Sequence, residues 1–284
     1  MDRGGAKNRT PPQGGAFVNP AYEIQKAWRL ATSPLRKLPD FLMPGAPKCA
    51  TSSIYDLIAS HPEAKRSWRK EPTNFVHYGR SVAHARMNHP LRIGRFLCGD
   101  ASVEYFFHPE AAANAATVVP RAKLIFVLRD PVERAWSDFR MFVKSGHEKD
   151  SFPDAIERAI RWLSDPETRP LCDEVGRRAY NPVRYVRAGQ YEANISRWLR
   201  HFDRGQTLIV FAEDYFAQPQ EFAGLLYRFL GLSPLAPAGF PHARDGGGDS
   251  QPDPQTAAKL RAFYAEDDDK LRALVGRPLP WDHA

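Results

Sequence analysis

Cysteine is scarce in this chain, with three in 284 residues: Cys49, Cys98 and Cys172. An odd number without metal-ligand spacing offers neither a disulfide framework nor a zinc site, so reduced thiols and no bound metal are expected. Long apolar runs are missing as well. No stretch approaches the roughly 20 apolar residues of a membrane helix. The polar start, with its Pro and Gly residues, has no signal-peptide core, so a cytoplasmic protein without a membrane span is expected. Internal repeats and dense blocks of Lys and Arg are also lacking. Basic residues outnumber acidic ones, 40 to 33, for a net charge of +7, but they are dispersed, as in RSWRK at 66–70 and RWLRHFDR at 197–204. The excess favours anionic partners in general. Without an accompanying nucleic-acid signature it does not predict a nucleic-acid partner.

What is present suits a folded α/β protein. An apolar fraction of 43% with 26% charged residues excludes wholesale disorder. Residues 1–35 read as a flexible leader that carries a short helix around Tyr22–Ala31, and 36–284 as one domain. Phe41-Leu42-Met43 is a buried strand running into a loop at 44–50. A helix starts at Thr51 or Ser52, with Ile54, Leu57 and Ile58 on one face. Arg95 to Asp100 reads as a second strand and turn. Lys123 to Leu128 is an apolar run of the kind buried on both faces of a parallel sheet. Asp130-Pro131 then caps a helix over Val132 to Val143. A strand over Thr207–Phe211 is followed by a helix from Gln220 to Leu230, closed by Gly231, and a last amphipathic helix spans Gln255 to Val275. Polar helical stretches around 145–205 suit an acceptor-side region. The repeated strand–loop–helix pattern predicts a parallel sheet flanked by helices, with ligands beyond the strand C-termini.

Two segments carry chemistry. In GAPKCATSS at 45–53, small residues and a proline bend the chain between strand and helix, and a lysine stands among outward-facing backbone amides. Such a turn can cradle a phosphate; it can equally be a tight turn with a surface lysine. It is not a Walker A loop, because Ala50 and Thr51 stand where that motif needs glycine and lysine. The second segment, Arg129 to Phe139, follows the apolar strand. Arg129 falls at the sheet edge and Ser137 about two turns along the next helix, so a guanidinium and a hydroxyl can converge on one anion. The alternative is Arg129 paired with Asp130 or Glu133.

Taken together, PKxxTSS and RDPxxRxxSxF resemble the two nucleotide-binding motifs of the sulfotransferases that use 3′-phosphoadenosine 5′-phosphosulfate (PAPS). Lys70-Glu71-Pro72-Thr73-Asn74-Phe75, the segment Gly99 to Tyr105, and Gly189-Gln190-Tyr191 leading to Trp198 extend the likeness, which runs from about Phe41 to Trp281. It is closest to the branch of heparan sulfate and other carbohydrate sulfotransferases. The resemblance implies a P-loop-like nucleotide fold, PAPS as donor and its 3′-phosphoadenosine 5′-phosphate (PAP) product, no metal, and a carbohydrate or small-molecule alcohol as acceptor. It implies that Lys48 stabilises the leaving phosphate, and that Cys49, Ala50, Thr51 and Ser52 hold the 5′-phosphate. Arg129 and Ser137 would grip the 3′-phosphate, with Arg244 contributing from the glycine-rich loop, and Lys70 would stand near the transferred group. The family often has glycines at 49 and 50; this chain does not. Asp56 falls where the resemblance places the catalytic base, although Ser53-Ile54-Tyr55-Asp56 also reads as a capping box. Glu71 and His77 are reserve bases. Rival readings are a nucleotide-dependent kinase and a non-catalytic anion- or glycan-binding protein on the same fold.

Overall fold

The computed structural model describes residues 20–165, 183–241 and 251–282. Helix α1 (Pro20–Ala31) comes first, followed by strand β1 (Phe41–Gly45), α2 (Thr51–Ala59), α3 (Asn74–His77) and α4 (Val82–Met87). Next come β2 (Gly99–Asp100), α5 (Ala111–Val118), β3 (Lys123–Leu128), α6 (Pro131–Lys144) and α7 (Phe152–Ser164). After them lie α8 (Arg184–Arg187), α9 (Tyr191–Leu199), β4 (Thr207–Phe211), α10 (Ala212–Ala217), α11 (Pro219–Leu230) and α12 (Pro254–Val275). The four strands form one parallel sheet in the order β2-β1-β3-β4, as the strand–loop–helix pattern predicts.

β1 and β3 occupy the centre. Their side chains are apolar along almost their whole length because helices cover both faces of the sheet, and Phe41, Leu42, Leu124, Ile125, Phe126 and Val127 are all buried. A second apolar cluster joins Phe139 and Phe142 of α6 to Phe152 and Ile156 of α7, Tyr185 of α8 and Leu260 and Tyr264 of α12. The helical region after α6 is therefore anchored on the last helix of the chain, beside the second nucleotide motif.

Several expectations change. The strand expected over 95–100 pairs with β1 only at Gly99 and Asp100. Upstream, Leu97 bonds to the 63–65 segment instead, its amide to the Glu63 carbonyl at 2.7 Å and its carbonyl to the Lys65 amide at 2.8 Å. The short helix expected around Tyr22–Ala31 is present as α1, and a 3-10 turn at Ser33–Leu35 follows it. Arg29 fastens it by donating to the Met87 and His89 carbonyls at 2.7 and 3.0 Å. Residues 1–19, Cys172 and the glycine-rich 244–250 segment with Arg244 lie outside the described residues. The caps behave as anticipated. Asp130 Oδ1 accepts from the amides of Val132 and Glu133, and Gly231 closes α11 at φ 78°, a left-handed backbone that suits glycine.

Candidate active site

All four strands point their C-terminal ends to one edge, and there the two motifs meet. β1 ends at Gly45, where any Cβ would lie 2.7 Å from Phe106, so only glycine fits. The Ala46 amide then donates to the Val127 carbonyl of β3 at 2.7 Å, tying the loop to the neighbouring strand. Lys48 and Ala50 both take left-handed backbone, φ 68° and 57°. A non-glycine residue there costs about 1–2 kcal/mol. Ala50 is the N-cap of α2 and offers no side-chain acceptor, so the first-turn amides around Thr51 and Ser52 keep the orphan donors of a helix start. The cap also disposes of the capping-box reading: Ser53 lies inside α2, so Asp56 does not close a box at its start.

Cys49 is fully buried, with its sulfur 3.6 Å from the Pro47 carbonyl and 3.9 Å from the Tyr191 hydroxyl. Burial pushes the thiol up to about 12, so it stays neutral and packs rather than reacts. Cys98 is also free and buried. Lys48 leans over α6, its Nζ 3.8 Å from the Met141 sulfur. Burial lowers its pKa first, and the nearby Arg184, Arg134 and Arg129 lower it further against the opposing pull of Asp138. A lysine held among three arginines is primed for an anion.

Arg129 follows β3 and is half-buried, with one guanidinium nitrogen 3.2 Å from Glu133, which is one of the two partners anticipated. Ser137 stands two turns along α6, half-buried. Beneath them is a buried charge cluster that local sequence reasoning missed. Asp138 is fully buried, with Arg134 at 3.2 Å and Arg184 at 3.1 Å. Burial alone would raise its pKa, but Arg184 and Arg134 outweigh it and hold the carboxyl below its ordinary range. The i, i+4 spacing of Arg134 and Asp138 was the available signal; Arg184, in a separate helix, left none. Two more unforeseen residues brace this edge. Glu213 of α10 accepts from the Asp130 amide at 2.9 Å, and Arg261 of α12 reaches Asp130 Oδ2 at 3.0 Å.

The Lys70–Phe75 segment reaches the same edge by way of β2. The Thr73 amide donates to Ser102 Oγ at 3.1 Å, Ser102 to Asp100 Oδ1 at 2.6 Å, and Tyr105 to Asp100 Oδ2 at 2.7 Å. Burial raises the Asp100 carboxyl to about 6. Lys70 pairs with Glu71 at 2.8 Å, and Glu71 and Thr73 both have positive φ, so the backbone is sharply bent where it passes the sheet. Asp56 is elsewhere engaged: it sits in the second turn of α2, partly exposed and paired with Arg66 at 2.8 Å. His77 ends α3 on the surface.

Known proteins resemble this chain in sequence and fold. The family described as "Sulfotransferase domain" matches residues 38–237. The chain is 27% identical over 259 residues to carbohydrate sulfotransferase 15 of Mus musculus, covering 71% of this chain and 45% of that protein. It is 25% identical over 271 residues to heparan sulfate glucosamine 3-O-sulfotransferase 3B1 of Homo sapiens, covering 87% of this chain and 66% of the relative. The chain thus spans about half to two thirds of the length of these relatives. Its fold is similar to that of a crystallised sulfotransferase from Alicyclobacillus acidocaldarius, with TM-score 0.69 and 28% identity over 86% of this chain and 98% of that one. With most of its length, both candidate turns included, inside the matched region, this chain belongs to the sulfotransferase-domain family.

Proposed function

We propose that the protein transfers a sulfonate group from PAPS to a hydroxyl of a carbohydrate. The observation that carries this reading is the convergence of Lys48 and Arg129, which follow the hydrogen-bonded strands β1 and β3 and lie close enough for one charge to depress the pKa of the other. In a loose, in-line transfer, negative charge grows on the leaving phosphate oxygen as the sulfur–oxygen bond to the donor breaks. Lys48 and the first-turn amides of α2 supply positive charge there, with Cys49, Ala50, Thr51 and Ser52 shaping the turn. Arg129 and Ser137 take the 3′-phosphate, and Lys70 stands beside the transferred group. A kinase lacks support on this chain, since the turn has no Walker lysine and the matched family is a sulfotransferase one.

The acceptor hydroxyl must lose its proton to a base as it attacks sulfur. Two carboxylates compete for that role. Each is ion-paired at 2.8 Å, Asp56 with Arg66 and Glu71 with Lys70. Glu71, however, lies on the bent segment moored to Ser102 at the sheet edge and its partner is the lysine assigned to the transferred group, which supports Glu71 as the base. The carbohydrate acceptor is supported by the two curated relatives, whose names specify carbohydrate and heparan sulfate glucosamine. The cytoplasmic location stays part of this proposal, supported by the free thiols of Cys49 and Cys98 and tested by fractionation.

Calorimetric titration with PAP and with adenosine 5′-phosphate tests the donor assignment. PAP should bind at least tenfold more tightly, because the second compound leaves Arg129 unused. Equal affinities would refute it. Transfer of radiolabelled sulfonate to a panel of saccharides then separates an enzyme from a silent glycan-binding relative.

A further inference from the structure

We propose that a cationic pocket built by α1 and the Arg69–Pro72 turn is a subsite for a negatively charged sugar residue of the acceptor, next to the residue that is sulfated. The inference rests on the carbohydrate reading above. The pocket holds about 180 Å³. That is room for roughly six waters, or for one sugar ring. Tyr22 and Lys26 of α1 form one wall, and Arg69, Asn74, His77 and Asn88 form much of the rest. α1 ends at Ala31, outside the residues 38–237 that the family model matches.

Charge is the first argument. No carboxylate lines the pocket. Lys26 has no acidic partner among the described residues, and the Arg69 guanidinium donates to the Tyr22 hydroxyl at 2.6 Å rather than to an acid. Two cations around one concavity without a counter-ion favour an anionic guest. Hydrogen bonding gives the second argument. Asn88 is 2% exposed and donates its amide to Asn74 Oδ1 at 3.1 Å, while its own side-chain oxygen has no donor. A sugar is rich in hydroxyl donors and acceptors, and the amide side chains of Asn74 and Asn88 are among the pocket's lining.

Rigidity gives the third. Tyr22 stacks on Trp68 with ring centroids 5.5 Å apart, Arg29 lies over Trp68 at 4.9 Å and Arg69 over Tyr22 at 5.7 Å. This alternating column fixes the cation and an aromatic face in place before any ligand arrives, which lowers the ordering cost of binding. Location completes the case. Arg69 and Pro72 line the pocket and flank Lys70 and Glu71 in the chain, so the pocket adjoins the segment that carries the proposed base.

The test is a calorimetric titration of the full chain, with and without PAP, using a hexasaccharide of alternating glucuronate and N-acetylglucosamine and its carboxyl-reduced, neutral derivative. The wild type should prefer the acidic compound. Lys26→Ala and Arg69→Ala should each weaken it about tenfold while leaving PAP affinity unchanged, and Lys26→Arg should keep most of it. Equal binding of the acidic and neutral compounds, equal loss of both in the variants, or no binding of the acidic compound to the wild type would each overturn the proposal. Inorganic sulfate binding as tightly as the hexasaccharide would overturn it too. Loss of PAP binding would instead strike at the donor assignment, which the titrations without nucleotide leave separate.

Discussion

The Tyr191 hydroxyl donates to the Arg129 carbonyl at 2.7 Å, joining α9 to the end of β3 from 62 residues away. Its oxygen also lies 3.9 Å from the sulfur of Cys49. One buried hydroxyl thus joins both turns of the candidate site. Tyr191→Phe should cost about 1–3 kcal/mol of stability, since the freed partners lose their hydrogen bond inside the core. Affinity for PAP should fall severalfold with it, by calorimetry. Wild-type unfolding and affinity in that variant would show that the two turns need no such brace.

Lys48→Ala should reduce kcat by about two to three orders of magnitude, the loss expected when a transition-state charge goes unmatched. The fold should persist, because the side chain is half-buried and lies against the thioether of Met141. Arg129→Ala should instead act on donor binding and collapse the preference for PAP over adenosine 5′-phosphate. Steady-state rates in the first variant and paired nucleotide titrations in the second check the division of labour.

Base identity is settled by contrasting two substitutions. Glu71→Gln should lower kcat by about 10² to 10⁴, and Asp56→Asn by less than tenfold. A reversed order would move proton abstraction to the α2 carboxylate. The acid limb of the pH–rate profile should disappear in whichever variant has lost the base.

Asp268 should make stability depend on pH. Its Oδ2 accepts from the Trp281 indole at 3.1 Å, and burial, with Asp267 and Asp282 nearby, raises its pKa from 3.8 to about 6. A carboxyl that holds its proton more tightly when folded contributes stability fully below about pH 4 and loses it as the pH rises through about 6. Asp268→Asn keeps an acceptor for Trp281 and removes the charge. It should therefore be more stable than the wild type at pH 8 by about 1 kcal/mol, or roughly 2–4 °C in Tm. At pH 4 the difference should vanish. Thermal scans at both values check this.

Much of the sheet was legible because β1 and β3 are continuous apolar runs between turn signals, a pattern that only a doubly covered strand needs. The cap at Asp130 and the stop at Gly231 could be read from single residues with one conformational role. The short β2 could not, because the competing partner of Leu97 is the loop at 63–65, a choice made by tertiary contacts. Lys48, Arg129 and Ser137 were singled out from their turns, and the fold sets those turns at the ends of adjacent strands. Asp56 was misread as a possible cap because Ser53 imitates an N-cap, whereas α2 starts from left-handed Ala50, a conformation nothing in an alanine announces. Tyr191, Arg184 and Glu213 act across distances along the chain that local patterns do not register.

The pairing of Gly45 with Phe126 in adjacent parallel strands has a metric consequence. Since the backbone ladder sets how far apart the two turns stand, a site that uses both as proposed would work as a ruler: a molecule carrying two phosphates at another separation would satisfy one turn but not both, whatever its total charge. Selectivity for the donor would then come from length, and loosening the ladder would blur it even with every cation still in place.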